Sequence, residues 1–183
     1  MRHLPNLICL LRMLLVWPIA VALHEQRFGL ALLLFIVAGI SDGIDGYLAK
    51  RFDWTSELGK VLDPMADKLL LVVVFVEAAW LGRLAWWLAA AVVARDVFIA
   101  LGAGVFRLWF GPLHGHPTVF SKVNTAMQLM FLALVMLNAG LTFPPQKLLD
   151  ALAVVVFVTT ASSGLNYVSI FTRRAWSQPA GSL

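Results

Sequence analysis

Long apolar segments separated by short polar turns are the feature that most restricts the fold of this chain. One helical membrane crossing needs about 20 consecutive apolar residues, and the sequence holds six segments of about that length. Their predicted bounds are Leu7–Leu23, Phe28–Lys50, Glu57–Leu81, Leu84–Phe110, Ser121–Leu137 and Lys147–Phe171. We therefore predict an all-α membrane protein with six transmembrane helices, in which residues 1–183 form a single domain.

The composition supports a membrane location. Of the 183 residues 61% are apolar and 13% are charged, the mean hydropathy is +0.85, and soluble domains average about 25% charged residues. The net charge of +4 comes from scattered cations, which favours contact with lipid headgroups over nucleic acid. Residues 1–12 are expected to form an amphipathic lead-in to the first span, and a polar tail is expected from Arg173 onward.

The distribution of lysine and arginine predicts the orientation, because cytoplasmic loops carry an excess of both. With six spans, all but three of the 14 fall on the side of the two termini; the exceptions are Arg27, Arg83 and Lys147. Both termini are therefore predicted to be cytoplasmic. We expect an integral protein of the bacterial inner membrane whose functional site faces the cytoplasm.

Four aspartates interrupt the second and third apolar segments near their predicted cytoplasmic ends. Asp42 and Asp45 are three residues apart, and Asp63 and Asp67 are four apart, so each pair projects from one face of a helix. The short turn between the helices predicts antiparallel neighbours whose acidic faces meet. Because one carboxylate at the centre of a membrane helix costs roughly 2.5–3.5 kcal/mol on insertion scales, the four require cations.

Divalent metal ions are the cations that this pattern favours. Mg²⁺ is usually held by a few carboxylates together with substrate phosphates, and Mn²⁺ accepts the same ligands. Lys60 and Lys68 are near enough in sequence to neutralise part of the charge. Helix capping explains a lone aspartate such as Asp53, but caps do not recur at spacings of three and four within apolar helices.

Two other functional classes use intramembrane carboxylates or tolerate them. A divalent-cation or proton transporter would carry such residues naturally, although the sequence shows neither an internal repeat nor polar residues along the outer halves of the helices. A non-catalytic membrane scaffold is the third hypothesis, and it predicts that neutralising Asp67 has no effect on activity.

Glycines accompany the aspartates. Gly39, Gly43 and Gly46 follow one another at intervals of four and three, and Gly59 lies one turn before Asp63. Small residues let membrane helices approach closely, and this accounts for Gly39 as well as a ligand would. For Gly43, Gly46 and Gly59, beside the carboxylates, we predict that the missing side chain leaves room for a ligand.

The complete pattern, Asp42-x-x-Asp45-Gly46-x-x-Ala49-Lys50 followed by Gly59-x-x-x-Asp63-x-x-x-Asp67, resembles the signature of the CDP-alcohol phosphatidyltransferases. Lys50 departs from the arginine usual there, which keeps the charge but loses the bidentate guanidinium; Arg51 beside it is available to share the role. The Pro5-Asn6 start with Arg12 and the six-helix plan resemble the family as well.

The resemblance implies a metal-dependent transfer of a phosphatidyl group from CDP-diacylglycerol to an alcohol, with release of CMP. The implied ligands of two Mg²⁺ or Mn²⁺ ions are Asp42, Asp45, Asp63 and Asp67. Asp67 would also be the general base that takes the proton of the acceptor hydroxyl. The implied CDP-binding residues are Gly46, Ala49, Lys50 and Gly59. Members of the family are commonly homodimers, which the resemblance extends to this chain.

The second half of the chain is predicted to select the acceptor. Arg95, Arg107, Lys122 and Asn124 supply cations and polar donors suited to an anionic phosphate, although snorkelling to the interface explains Arg107 and Lys122 equally well. Three segments resemble the CMP-forming cardiolipin synthases, whose acceptor is phosphatidylglycerol: Arg95-Asp96-Val97, Pro117–Leu129 and Thr159-Thr160-Ala161-Ser162.

The phosphatidylglycerophosphate synthases, which use glycerol-3-phosphate, usually have Arg-Glu in place of Arg95-Asp96 and a second Arg-Glu pair downstream. This chain has Phe106-Arg107-Leu108 at that second place. We therefore predict phosphatidylglycerol as the acceptor, with glycerol-3-phosphate as the alternative.

Overall fold

A computed structural model describes the backbone of residues 4–52, 59–110 and 119–177, and the side chains of residues 10–43, 66, 68–102, 104 and 120–169. Within these ranges the chain forms six α-helices and no strand. They are α1 (Leu4–His24), α2 (Phe28–Phe52), α3 (Gly59–Trp80), α4 (Trp86–Phe110), α5 (Val119–Leu141) and α6 (Gln146–Ser177). The all-α prediction is confirmed, and the helix bounds lie within a few residues of the predicted ones except at the end of α6.

The two ends of the chain differ from the prediction. No separate lead-in precedes the first span, because α1 runs without interruption from Leu4 through Pro18 to His24. Pro5 lies in its first turn, where a missing N–H breaks no helical hydrogen bond. At the other end, α6 continues to Ser177, so the polar tail expected from Arg173 begins inside a helix.

Helix α1 has a central place in the packing of the described residues. It packs against both α2 and α3, while α5 also contacts both; α4 joins α3 to α6, and α6 packs on α5. Among the described residues α2 and α3 do not approach each other directly. In this part of the chain α1 and α5 each contact both helices. The predicted meeting of the two acidic faces falls mostly on residues outside the described side chains.

The turns after α1, α3 and α5 lie at one end of the bundle. The guanidinium of Arg83, after α3, lies 4.9 Å from the ring centroid of Phe28 at the start of α2. A Cβ at Gly140, near the end of α5, would lie 3.5 Å from Cβ of Phe28. Nδ1 of His24 and Oε2 of Glu77 are 3.7 Å apart at the same end. Consecutive helices therefore alternate in direction.

The burial pattern of the described residues differs from that of a water-soluble domain in its exposed apolar and buried charged side chains. Trp17 and Leu165 are 77% and 71% exposed, whereas Arg12 and Asn124 are 1% and 0% exposed. Large apolar side chains on the outside and polar ones inside suit a protein surrounded by lipid. The core between the helices contains many alanines, including Ala31, which permit close packing.

Two helices of the described part are long and apolar enough to cross a membrane. They are Phe120–Leu141, with 22 residues and a mean hydropathy of 1.4, and Gln146–Ser169, with 24 residues and a mean hydropathy of 1.8. Shorter apolar stretches occur at Leu10–His24 and Phe28–Gly43. Most residues of the two long helices face outward, since only 33% and 22% of their most apolar windows are buried. These helices belong on the surface of a membrane protein.

Candidate functional site

An ion pair joins α1 to the first aspartate of the predicted site. Nη1 of Arg12 lies 2.5 Å from Oδ1 of Asp42, and the two side chains are 1% and 46% exposed. Arg12 can lie within the helix bundle because a carboxylate meets its charge. The structure therefore gives Asp42 a cationic partner on a different helix, and leaves part of its carboxylate accessible.

A cavity of about 60 Å³ adjoins this pair. Four helices line it: Arg12 comes from α1, Asp42 from α2, Leu70 from α3 and Thr125 from α5. Its other lining residues are Ala38, Gly39, Leu71 and Leu129. A water molecule occupies about 30 Å³ in the liquid, so the cavity has room for about two waters. Residues of α2 and α3 therefore line one common space.

Two glycines keep the α2 side of this region open. A Cβ built at Gly39 or Gly43 would have no described atom within 4 Å. Close helix packing therefore does not account for Gly39 in the described part of the chain, although it was an equally good explanation from the sequence. At Gly43 the open space agrees with the predicted room for a ligand beside Asp42.

The remaining residues of the predicted metal and CDP sites have side chains outside the described part. They are Asp45, Asp63, Asp67, Gly46, Ala49, Lys50 and Gly59. Their backbones lie in helices: positions 45–50 are in α2, and positions 59–67 begin α3. Among the described side chains no group of three His, Cys, Asp or Glu residues lies together. Asp42 is the one predicted metal ligand whose surroundings the structure describes.

The surroundings of Asp42 fit a divalent ion. Its carboxylate is half-exposed, one oxygen contacts Arg12, and the second oxygen has further lone pairs for a metal. Carboxylate oxygens are the ligands that Mg²⁺ and Mn²⁺ prefer. The open space at Gly39, which lies three residues before Asp42, leaves room on the same side of the helix. The one described member of the donor set is therefore compatible with the predicted ions.

A second buried arginine, Arg95 on α4, connects three helices. Nη1 donates to Oδ1 of Asp96 at 2.5 Å. Nη2 donates to Oγ of Ser121 on α5 at 3.1 Å and to Oγ of Ser163 on α6 at 2.5 Å. The guanidinium carbon also lies 5.9 Å from the centroid of the Tyr167 ring. Arg95, predicted from the sequence to bind the acceptor, is thus held in place by α4, α5 and α6.

The other predicted cations near this centre have different environments. Nζ of Lys68 on α3 lies 3.7 Å from Oδ1 of Asp96, so in the described structure it neutralises Asp96 on α4. Its predicted role as a counter-charge for the aspartate cluster is therefore replaced by a contact elsewhere. Lys122 is exposed, and the side chain of Arg107 lies outside the described residues.

Asn124, the last predicted acceptor residue, lies in a buried polar seam between α5 and α6. Oγ1 of Thr160 donates to Oδ1 of Asn124 at 3.0 Å, and Nε2 of Gln128 donates to Oγ1 of Thr160 at 3.2 Å. All three residues are buried. Within the described part, Nδ2 of Asn124 and Oε1 of Gln128 lack hydrogen-bond partners. The seam therefore retains an unused donor and an unused acceptor.

Sequence reasoning did not identify the seam or the partner of Arg12. Ser121, Asn124 and Gln128 follow one another at intervals of three and four on α5, and Thr160 and Ser163 are three apart on α6. Such spacings place each set on one helical face, and this signal was present in the sequence. Which faces meet, and that Arg12 meets Asp42, required the tertiary structure.

Comparison with known proteins relates these features to a family. A family model described as CDP-alcohol phosphatidyltransferase matches residues 2–164. A probable cardiolipin synthase (CMP-forming) of Drosophila melanogaster is 33% identical over 182 residues, which cover 90% of this chain and 56% of that protein. The cardiolipin synthase (CMP-forming) of Homo sapiens is 28% identical over 180 residues, covering 90% of this chain and 60% of that protein.

A relative of a second kind matches over nearly its whole length. The CDP-diacylglycerol–glycerol-3-phosphate 3-phosphatidyltransferase of Salmonella choleraesuis is 30% identical over 178 residues, which cover 91% of this chain and 93% of that protein. In contrast, the chain spans only 56–60% of the length of the two cardiolipin synthases named above. The family model covers most of the chain, and it also spans both aspartate pairs: the chain belongs to the CDP-alcohol phosphatidyltransferase family.

Proposed function

We propose that this chain is a membrane enzyme that transfers a phosphatidyl group from CDP-diacylglycerol to phosphatidylglycerol, giving cardiolipin and CMP. The observation that carries the proposal is the half-exposed Asp42, held by buried Arg12 at the wall of a cavity between α2 and α3. Asp42 is the first residue of the family signature. Family membership also favours a transferase over the divalent-cation transporter.

The proposed metal ligands are Asp42, Asp45, Asp63 and Asp67. Position 67 precedes Leu70 and Leu71 by three and four residues, and both leucines line the cavity with Asp42; this spacing supports the proposal that Asp67 belongs to the same face of α3. Bound divalent ions would neutralise charge on the diphosphate oxygens of CDP-diacylglycerol. This supports two carboxylate pairs facing one space.

The proposed chemistry of the protein groups is direct transfer. The carboxylate of Asp67 accepts the proton of the acceptor hydroxyl, whose oxygen then forms the new bond to phosphorus while the bond to CMP breaks. Gly46, Ala49, Lys50 and Gly59 bind and orient the CDP group. The charge of Lys50 attracts phosphate but cannot form the bidentate contact of an arginine.

Phosphatidylglycerol as acceptor is supported by the cardiolipin synthase relatives. Arg95 is proposed to attract the phosphate of the acceptor, with Arg107, Lys122 and Asn124 contributing. The exposed position of Lys122 suits a first contact with an anionic headgroup, whereas Asn124 is buried and offers its unused Nδ2 donor.

Glycerol-3-phosphate is the second candidate acceptor. It is favoured by the Salmonella choleraesuis relative, because the match covers 93% of that protein, whereas it covers 56% of the Drosophila melanogaster one. In both reactions the acceptor carries a hydroxyl group and a phosphate. The proposed roles of the aspartates are therefore the same for either acceptor.

The experiment that decides between them supplies the purified protein with radiolabelled CDP-diacylglycerol, Mn²⁺ and one acceptor at a time. Cardiolipin formed with phosphatidylglycerol supports the proposal, whereas phosphatidylglycerophosphate formed with glycerol-3-phosphate would replace it by the second candidate. Loss of CMP release in Asp67→Asn is the control that ties the product to this site. Release of no CMP with either acceptor would contradict the enzyme proposal itself.

The proposed membrane arrangement has six spans, cytoplasmic termini and a site facing the cytoplasm of a bacterial inner membrane. The alternating helix directions support it, since the turns after α1, α3 and α5 share one end. In a Cys9→Ala background, Glu25→Cys should react with an impermeant maleimide from outside intact cells and His114→Cys should not. The reverse labelling would overturn the orientation. We also propose a homodimer, which the mass of the purified protein in nanodiscs would test.

A further inference from the structure

We infer that Arg12 is a positioning residue for the metal site: it fixes the carboxylate of Asp42 through one oxygen and leaves the other free to bind a divalent ion. This inference rests on the proposed function. It concerns a residue on α1, outside both aspartate-bearing helices, and it assigns a role to the buried charge in the first apolar segment.

The first support is the burial of Arg12. Its side chain is 1% exposed within a helix bundle, and taking a guanidinium into such surroundings costs free energy even when it is paired. The surrounding apolar sequence of α1 offers no local counter-charge. A methionine of similar length would pack there without this cost. The contact with Asp42 is the described interaction that meets this charge.

The second support is the geometry of the pair. Nη1 contacts Oδ1 of Asp42 at 2.5 Å, while the carboxylate as a whole is 46% exposed. A carboxylate has two oxygens and about four lone-pair sites, so this contact leaves acceptor capacity for a metal ion. Arg12 therefore restricts the orientation of Asp42 without occupying the whole carboxylate.

The third support is the open space around Asp42 on its own helix. A Cβ at Gly39, three residues before it, or at Gly43, one residue after it, would meet no described atom within 4 Å. Of the two, Gly39 lies on the same side of α2 as Asp42, so no described atom packs closely on the helix at that point. The contact from Arg12 restricts the carboxylate, and it connects Asp42 to α1, which packs on both α2 and α3.

Two possible roles of Arg12, orienting Asp42 or only adding a positive charge, predict opposite changes in metal affinity when Arg12 is removed. Hydrogen-bonding partners that orient a metal ligand typically change metal affinity by about 10–100-fold, so losing Arg12 should weaken binding. If Arg12 mattered only as a positive charge, its removal would relieve repulsion and tighten the binding of a cation. The sign of the change therefore tests the inference.

The experiment measures Mn²⁺ binding to the full-length protein in nanodiscs, from the electron paramagnetic resonance signal of free Mn²⁺, with and without CDP-diacylglycerol. Arg12→Met should weaken binding about 10-fold or more. Arg12→Gln, which retains an N–H donor without the charge, should recover part of the loss. The matched control is Arg27→Met. Nε of Arg27 lies 3.2 Å from Oε2 of Glu25 on the exposed surface at the other end of the bundle. The Mn²⁺ affinity of this control variant should equal that of the wild type.

A second readout separates positioning from direct participation in the reaction. At saturating Mn²⁺ most of the turnover of Arg12→Met should return, because every proposed ligand is still present. Turnover that stays low at saturating metal, or Mn²⁺ binding as tight as in the wild type or tighter, would overturn the inference. If Arg12→Met does not fold, Arg12→Lys and Arg12→Gln decide by the same criterion of weakened Mn²⁺ binding.

The wild-type measurement distinguishes the two proposals. Wild-type protein that binds Mn²⁺ and releases CMP, with variants that bind Mn²⁺ equally well, would contradict the role of Arg12 alone. Wild-type protein that neither binds Mn²⁺ nor releases CMP would contradict the proposed function as well.

Discussion

The two buried arginines of the described structure have contrasting surroundings. Arg95 is enclosed by partners: Asp96 beside it on α4, and hydroxyl groups from α5 and α6. Arg12 contacts the half-exposed Asp42 beside a cavity. One guanidinium thus connects helices inside the bundle, and the other connects a helix to a carboxylate that a ligand can reach.

The contrast shows that burial of a charge in a membrane protein does not by itself indicate its role. Around Arg95 a buried carboxylate and two hydroxyls accept hydrogen bonds from both terminal nitrogens of the guanidinium, so its pairing stabilises the packing of α4, α5 and α6. The partner of Arg12, in contrast, is half-exposed beside a cavity. Changes to the pairing of Arg95 should therefore lower stability more than changes to the pairing of Arg12.

Removing divalent ions should produce the largest difference between the two centres. Chelation with EDTA should lower the rate of CMP release by about 1,000-fold or more, since metal ions at phosphoryl oxygens contribute several kcal/mol to transition-state stabilisation. Adding Mg²⁺ or Mn²⁺ should restore the rate. The Arg95 centre needs no metal, so the unfolding temperature should change little. Full activity in EDTA would contradict the proposed metal site.

Neutralising the proposed general base, Asp67, should have the second-largest effect on activity. Asp67→Asn should lower the rate of cardiolipin formation by about 100- to 10,000-fold, the usual contribution of a positioned general base. The unfolding temperature should be close to that of the wild type. A rate within threefold of the wild type would remove Asp67 from the mechanism and would support the scaffold hypothesis.

Neutralising the carboxylate partner of each arginine compares the centres directly. Asp96→Asn should destabilise the protein by about 3 kcal/mol, because it weakens a pair in which both side chains are buried. Asp42→Asn should cost less, because water reaches the Asp42 side chain even though its partner Arg12 is buried, yet it should abolish most CMP release. Denaturant unfolding in detergent measures the first effect and an activity assay the second. Equal destabilisation by both variants would contradict the contrast.

Removing one hydroxyl should have the smallest effect. Ser163→Ala deletes one of the two serine contacts of Arg95 and should lower stability by about 1 kcal/mol, since Ser121 remains. Ser169→Ala is the matched control on the same helix, because its hydroxyl is exposed and bonds the backbone oxygen of Asn166. An equal loss in both variants would indicate a general effect on α6.

Much of the helical framework could be predicted from the sequence because it depends on local properties. The apolar segments placed the helices, with bounds such as Phe28 for the start of α2. The path of α1 was less predictable: Arg12 suggested an interfacial lead-in, but the charge lies inside the bundle because Asp42 meets it. Such pairing depends on residues 30 positions apart, which no local pattern reveals.

For the candidate site, too, the sequence indicated some features and not others. The spacing of the aspartates gave the family, which the match over residues 2–164 confirms. The sequence also indicated Arg95 as an important cation. It did not indicate that Lys68 pairs with Asp96 or that Thr160 joins Asn124 to Gln128, since these contacts depend on which helix faces meet.

The sequence by itself determined the helical composition, the polar positions on each helix face and the family. These follow from the period of the α-helix and from the cost of charge in lipid, both of which act along the chain. Only the tertiary structure decided which helices contact both α2 and α3 in the described part of the chain, and which carboxylate meets each buried arginine there. In a bundle of apolar helices, many pairings bury similar surfaces. The few polar contacts and the small residues between helices therefore select one arrangement.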